Sequence, residues 1–282
     1  MRPALLAFTA LALAVPAAMP VLAPLEAKDK VKADEAMALV LADPRRDADR
    51  IRDQYRHPAE TLAFFKVKPG MTVVDYTPSG GWYTRILVPY LGEKGRYIGL
   101  NPDVRQASDN LKKNYANLGD TFPAQAAAWT GVPANRIFAY NSDNVPGDLK
   151  GKVDRVLIFR WMHNMWRNDL VRRELATIRM LLNDDGLLGI EQHRASKKSG
   201  PDYTDGSKGY MREQDVIAMV EACGFELVGR SEINANKRDP ANHAIGVWAL
   251  PPNLSGATEE TKPKLLLIGE SDRMTLLFRK RK

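Results

Sequence analysis

Cysteine is almost missing from this sequence, since Cys223 is the only one among 282 residues. An intramolecular disulfide is therefore impossible, and the fold must be held by its core even in an oxidising compartment. Histidine is also scarce, with four residues, His57, His163, His193 and His243, far apart along the chain. Neither residue type shows the close spacing of metal ligands, so we predict no metal site.

Long apolar runs are missing except near the N-terminus. Arg2 precedes small apolar residues from Pro3 to Val15, and prolines and alanines follow. This run is shorter than the roughly 20 apolar residues that span a membrane, and it is typical of a secretory signal peptide. We predict a signal peptide over residues 1–23, cleaved within residues 17–27, and export to the periplasm without stable membrane insertion. An uncleaved membrane anchor is the alternative.

Neither sign of charge is scarce, but basic residues dominate, with a formal net charge of +7. They are spread along the chain apart from a tail at Arg279 to Lys282, which is typical of a solvated basic surface. Because an exported protein rarely meets nucleic acid, we predict no nucleic-acid partner. The sequence indicates no particular oligomeric state.

The chain begins with helical patterns and then alternates between strands and helices. Charged and apolar residues follow a helical rhythm over 34–52 and again over 59–65, and we assign residues 28–66 to N-terminal helices. Seven β-rich segments follow, at 71–76, 95–101, 136–141, 153–160, 187–193, 226–233 and 274–279. Helical patterns separate them at 82–91, 104–115, 168–182 and 211–223.

This alternation predicts the fold of residues 67–282 as one α/β domain. Strands that alternate with helices form a mostly parallel sheet with helices on both faces. No crossover helix is evident between the last two predicted strands, so we expect the last strand to be antiparallel. The prediction is a doubly wound, Rossmann-like, seven-stranded sheet. The reversed strand disfavours a nicotinamide-dependent oxidoreductase, because classical dinucleotide-binding sheets are parallel throughout.

A turn with two glycines, Gly80 and Gly81, follows the first predicted strand. Ligands of open α/β sheets bind beyond the carboxyl ends of the strands, where the strand order reverses. Glycines there let the backbone approach a ligand closely, and the next helix offers free N–H groups. By itself, a tight turn without a ligand explains the segment equally well.

Several longer segments resemble a family of exported bacterial proteins described as methyltransferases. The resemblance covers most of the chain after the predicted signal peptide. It is carried by His-Pro-x-x-Thr at 57–61, Gly-Gly-Trp-Tyr at 80–83, Arg-Trp-Met-His-Asn at 160–164, and the segments 192–195 and 272–279. It implies the class I methyltransferase fold, S-adenosylmethionine as cofactor, and a small molecule or an envelope component as the methyl acceptor.

The resemblance also implies where the cofactor binds, at the ends of the first three strands. The implied contacts are Asp75, Thr77, Ser79, Gly80, Gly81, Asn101, Ser142 and Asp143. Methyltransferases of this class carry three alternating glycines where this chain has Thr77, Ser79 and Gly81, and an acid in place of Asn101. The added side chains and the missing charge predict cofactor binding that is weak or lost.

Polar groups near the ends of other strands are candidates for the acceptor site. The resemblance implies His163 and Asn164 as catalytic groups, and Tyr83, Arg160, His193 and Arg194 as substrate-binding residues. Methyl transfer chiefly needs orientation, and an imidazole such as His163 can remove the acceptor's proton near neutral pH. A buried histidine held by a backbone partner is the alternative for His163. For the whole chain, the alternative is a non-catalytic relative that binds a ligand or acts as a scaffold.

Overall fold

The structure is a computed structural model that describes the backbone of residues 23–282 and the side chains from residue 31 onwards. The predicted signal peptide lies outside the described residues, except for Ala23. Within the described part of the chain, no helix is both long and apolar enough to cross a membrane.

The strands follow the predicted order along the chain. They are β1 (Thr72–Tyr76), β2 (Arg96–Asn101), β3 (Ile137–Asn141), β4 (Val153–Phe159), β5 (Leu182–His193), β6 (Phe225–Ser231) and β7 (Arg273–Lys280). They form one sheet in the order β3-β2-β1-β4-β5-β7-β6. Strands β1 to β5 pair in parallel, and β7 runs antiparallel to both β5 and β6. The predicted doubly wound sheet with a reversed last strand is confirmed.

Helices cover both faces of this sheet. They are α1 (Ala23–Ala42), α2 (Asp47–Arg50), α3 (Asp53–Arg56), α4 (Pro58–Phe64), α5 (Thr84–Leu91), α6 (Asp109–Tyr115), α7 (Leu118–Thr130), α8 (Met162–Arg167), α9 (Val171–Leu181), α10 (Pro201–Thr204), α11 (Glu213–Ala222) and α12 (Lys262–Ile268). Alternate residues of a strand point to opposite faces. Val74 therefore packs in one apolar core with Leu175 of α9, while Val73 packs in the other with Ile86 of α5.

A proline divides the first predicted helical stretch. The pattern predicts one helix over 34–52, but α1 ends at Ala42, and the short helices α2 and α3 follow. Pro44 has no backbone N–H to donate and has a fixed φ, so α1 does not continue through it. A short 3-10 helix, Pro44–Arg46, begins after α1. Asp43 caps its N-terminus, because the Asp43 side chain accepts a hydrogen bond from the Arg45 N–H at 2.8 Å.

Several other helices differ from the sequence prediction, and two of them, α10 and α12, form where no helical pattern is evident. Helix α7 has no predicted counterpart, because its alanine-rich sequence with Pro123 lacks a clear apolar period; it packs on the sheet through Phe122 and Ala126. The short helix α8 forms where the sequence predicts a loop, and it contains His163 and Asn164.

Gly189 in β5 lets Phe65, the residue after α4, pack closely against the sheet. A Cβ atom at Gly189 would lie 2.7 Å from the ring of Phe65 and 3.0 Å from Leu157 Cδ2. We expect Gly189→Ala to lower the free energy of unfolding by about 1–3 kcal/mol through overpacking. Gly147→Ala is the control, because no heavy atom of the described residues lies within 4 Å of the added carbon beyond its chain neighbours. Urea unfolding that gives equal losses for both variants contradicts this packing.

Candidate functional site

A cavity of about 250 Å³ lies beyond the carboxyl ends of β1 and β4. This is the switch point of the sheet, since β1 lies between β2 on one side and β4 on the other. The end of β1 contributes Asp75, Thr77, Pro78, Ser79 and Gly80; the end of β4 contributes Phe159 and Arg160; the remaining lining residues are Asp49, Arg52, Arg56, Trp82, Tyr83 and Arg85. We call it the loop cavity.

The loop after β1 has an unusual backbone. Thr77, Ser79 and Gly81 have φ values of +58°, +50° and +74°. Left-handed backbone is unfavourable for residues with a side chain, above all for a β-branched threonine. Three alternating glycines adopt this conformation without strain. Gly81 is also required by packing, since a Cβ atom there would lie 2.3 Å from the ring of Trp129.

Asp75 is a buried acid in the wall of the loop cavity. Its carboxylate accepts a hydrogen bond from the Tyr97 hydroxyl at 2.9 Å, and the Thr84 hydroxyl is 3.5 Å away. Burial raises the pKa of Asp75 to about 7, although Tyr97 and the positive charge of Arg160 oppose the shift. Near neutral pH, this group can hold or release a proton in response to a charged ligand.

Two hydroxyl groups in the cavity wall lack partners. Thr77 Oγ1 and Tyr83 Oη are buried, and neither has a hydrogen-bond partner among residues 31–282. The Tyr83 ring is fixed by stacking on Phe159, with 3.5 Å between ring centroids. A buried hydroxyl without a partner costs about 1–3 kcal/mol. Both residues line the loop cavity, so each hydroxyl is a candidate hydrogen-bonding group for a polar ligand there.

Three of the predicted cofactor contacts, Asn101, Ser142 and Asp143, do not line this cavity. Asn101 Nδ2 donates to the Tyr115 carbonyl at 3.0 Å. Ser142 Oγ donates to Glu174 at 3.0 Å, and Asp143 pairs with Arg105 at 3.3 Å. The structure thus brings Asp75, Thr77, Ser79 and Gly80 together at the cavity, and it places these three polar residues in contacts with other parts of the chain.

A second cavity, of about 240 Å³, lies beside the first. Its wall includes His193 and Trp248, and it shares Arg52, Arg56 and Arg160 with the loop cavity. We call it the histidine cavity. His193 Nδ1 lies 2.6 Å from Ser271 Oγ, so this contact orients the ring.

His163 lies behind His193 and lines neither cavity. Their ring centroids are 5.8 Å apart, and His163 Nδ1 is 3.5 Å from the Gln192 side-chain oxygen. Burial lowers the pKa of His163 to about 4, and burial together with nearby His163 and Arg160 lowers that of His193 well below its usual value. Both imidazoles are therefore neutral at pH 7.

Two other predicted site residues lie away from the cavities. Asn164 follows His163 in α8, and Arg194 binds three carboxylates, those of Glu213, Glu232 and Asp272. Neither residue lines the loop cavity or the histidine cavity.

An ion-pair network that the sequence pattern did not indicate surrounds the shared arginines. Glu191 of β5 pairs with Arg160 at 3.0 Å and with Arg273 at 2.8 Å. Glu270 pairs with Arg52 at 2.6 Å, with Arg56 at 3.1 Å and with Arg273 at 3.2 Å. One feature of the sequence could have indicated this network. Glu191 is a charged residue that directly follows the apolar residues 187–190 of a predicted strand, and a buried charge needs a partner.

Among the side chains of residues 31–282, no group of three or more histidines, cysteines, aspartates or glutamates is arranged to hold a metal ion.

Comparison with known proteins identifies the fold. No family model matches the sequence, and no curated protein matches it. Among solved structures, a proposed sarcosine dimethylglycine methyltransferase from Galdieria sulphuraria superposes with a TM-score of 0.51 at 12% identity, over 82% of this chain and 85% of that chain. The chain thus shares the fold of this methyltransferase, and at this identity the likeness concerns the fold alone.

Two further structures are similar at lower scores. A SAM-dependent methyltransferase from Aquifex aeolicus has a TM-score of 0.48 and 18% identity, covering 73% of this chain and 93% of that chain. A Burkholderia thailandensis 1,6-didemethyltoxoflavin N1-methyltransferase with bound S-adenosylhomocysteine has a TM-score of 0.47 and 16% identity, covering 95% and 94%.

Asp75 makes the stability of the protein depend on pH. Its pKa is about 7 in the folded chain and near 3.8 when unperturbed, so the aspartate's contribution to stability falls as the pH rises from 4 to 7. Asp75→Asn cannot lose this proton, and its amide oxygen still accepts from Tyr97. We expect the free energy of unfolding of the variant, relative to that of the wild type, to rise by roughly 2–4 kcal/mol from pH 5 to pH 8. Thermal unfolding at both pH values measures the gain, and a difference that does not change with pH contradicts the raised pKa.

Proposed function

We propose that the protein is a S-adenosylmethionine-dependent methyltransferase that acts on a small molecule or an envelope component. The main observation behind this proposal is the backbone of the loop after β1. Thr77, Ser79 and Gly81 all have positive φ, although the first two carry side chains. Backbone strain of this kind persists where the surrounding structure holds it, and it clusters at functional sites. The loop opens into a cavity at the switch point of the sheet, where ligands of doubly wound folds bind.

The groups in the loop cavity fit the amino-acid end of the cofactor. Asp75 supplies a carboxylate for an ammonium group, and the unpartnered hydroxyls of Thr77 and Tyr83 supply hydrogen bonds. We propose that Asn101 faces the ribose with an uncharged amide, one of whose two N–H groups already donates to the Tyr115 carbonyl. When bound, the cofactor supplies an electrophilic methyl group on a sulfonium. We therefore propose binding that is weaker than with an acid at position 101.

The histidine cavity is the proposed acceptor site, and His193 is the proposed proton acceptor. His193 lines this cavity, is neutral at pH 7, and is oriented by Ser271. His163 lies behind it, followed by Asn164 in α8, and we propose that His163 positions the His193 ring. Because Arg160 borders both cavities, it lies between donor and acceptor and can orient either one.

A non-catalytic relative is the less favoured alternative. A scaffold that binds no ligand has no need of a strained loop beside an open cavity, because relaxing the loop would gain stability. We also propose, from the sequence pattern, that residues 1–23 are a signal peptide, that residues 28–66 form an N-terminal helical segment before the methyltransferase domain of residues 67–282, and that the protein is exported to the periplasm.

Calorimetric titration with S-adenosylmethionine and S-adenosylhomocysteine tests the cofactor site. We expect both to bind the wild type. Thr77→Ala removes the unpartnered hydroxyl and should weaken binding by about 1 kcal/mol, or roughly fivefold. Thr77→Ser is the matched control, because it keeps the hydroxyl in the same left-handed backbone, and it should bind as the wild type does. If the wild type binds neither compound while folded, the methyltransferase proposal is wrong.

The roles of the two histidines can be tested after an acceptor has been identified. Candidate acceptors are screened by measuring the S-adenosylhomocysteine that the enzyme releases. His193→Gln should lower turnover by about 10²-fold or more while leaving cofactor affinity unchanged. His163→Gln should have a smaller effect. Because the His193 pKa lies well below 6.5, the wild-type rate should not fall through this group between pH 8 and pH 7. A larger loss for His163→Gln than for His193→Gln would reverse the two assignments.

A further inference from the structure

The loop cavity and the histidine cavity are separated by positive charge. Arg52, Arg56 and Arg160 line both of them, so these three guanidinium groups form the partition between the two spaces. Arg52 and Arg56 come from the N-terminal helical segment, and Arg160 comes from the end of β4. Any molecule that occupies the histidine cavity next to the partition contacts arginine.

The partition is not neutralised by its own carboxylates. With Arg273, the three arginines share two acids, Glu191 and Glu270, so the cluster has an excess of two positive charges. Burial opposes the ionisation of Glu270, yet Arg56, Arg273 and Arg52 lower its pKa to about 2. Burial and then the charge of Arg160 lower the pKa of Arg56 to about 9. An uncompensated buried charge is unfavourable, and an anion beside it relieves that cost.

The partition also has hydrogen-bond donors to spare. Arg56 is 3% exposed, yet only its Nε donates, to Glu270. Neither of its terminal nitrogens hydrogen-bonds to any residue of the described part of the chain, and the same holds for Arg52. The Arg56 guanidinium lies over the Trp82 ring, 4.6 Å from its centroid, which fixes its plane. Fixed guanidinium groups with free donors suit carboxylate and phosphate oxygens.

We propose that the partition binds the anionic group, a carboxylate or a phosphate, of the methyl acceptor, whose body occupies the histidine cavity. The inference rests on the proposed function. Net charge favours the acceptor over the cofactor as the occupant, because S-adenosylmethionine is a net cation and the partition is itself positive. The body of the acceptor then contacts Trp248 and Pro251 and reaches His193.

Calorimetry with benzoate and with phenyl phosphate, at constant ionic strength, tests this site in the full chain. We expect at least one of them to bind, and the two probes distinguish a carboxylate site from a phosphate site. Arg56→Gln and Arg52→Gln should each weaken binding by about tenfold or more. Arg212→Gln is the control, because it removes the same charge from a surface pair with Asp215 outside both cavities, and it should change binding less than twofold.

Further measurements separate the possible failures. If Arg56→Gln does not fold, Arg52→Gln carries the test, because the Arg52 side chain is 24% exposed and tolerates replacement more easily. Repeating the titration with saturating S-adenosylhomocysteine should leave anion affinity within about twofold. Mutually exclusive binding would assign the arginines to the cofactor and overturn the proposal, as would the absence of binding by both probes. Anion binding without any cofactor binding would overturn the assignment to a methyl acceptor along with the proposed function.

Discussion

The ion pairs of Glu191 and Glu270 hold the parts of the site in place relative to one another. Glu191 is completely buried in the centre of the sheet and joins the end of β4 to the start of β7 through Arg160 and Arg273. Glu270 joins the same β7 arginine to the N-terminal helical segment. Breaking a buried pair typically costs about 3–5 kcal/mol, because it leaves a charge without a partner. One electrostatic network therefore fixes the three arginines that the two cavities share.

The loop after β1 depends on close packing as well as on charge. Its backbone N–H at Thr77 donates to the Leu100 carbonyl of β2 at 2.8 Å, and Gly81 lies directly against the ring of Trp129. Gly99 leaves room for Phe122, since a Cβ atom there would lie 3.1 Å from its ring, and Phe122 in turn packs against Trp129. These contacts offset the strain at Thr77 and Ser79, and they keep the cavity open beside Asp75.

The alternation of strands and helices in the sequence predicts the sheet, and it also predicts the site residues that lie at strand ends. Alternating strands and helices fix a doubly wound topology, and residues at strand ends, such as Asp75, Arg160 and His193, then meet at one edge. The N-terminal arginines were not predicted, because their position depends on Glu270, more than 200 residues away along the chain. Local pattern also does not reveal that Asn101 is held by the Tyr115 carbonyl. These hydrogen bonds and ion pairs join residues that are distant in the sequence, so only the folded structure reveals them.

The pairs from Arg52 and Arg56 to Glu270 span 218 and 214 residues of chain. A polypeptide that emerges from a ribosome or crosses a membrane with its N-terminus first exposes these arginines long before their glutamate arrives. The two cavities can be completed only after the C-terminal strand has inserted between β5 and β6. Contacts this distant in sequence require a long loop to close, which costs entropy before they stabilise the chain. Ligand binding at these arginines therefore reports on the fully assembled chain.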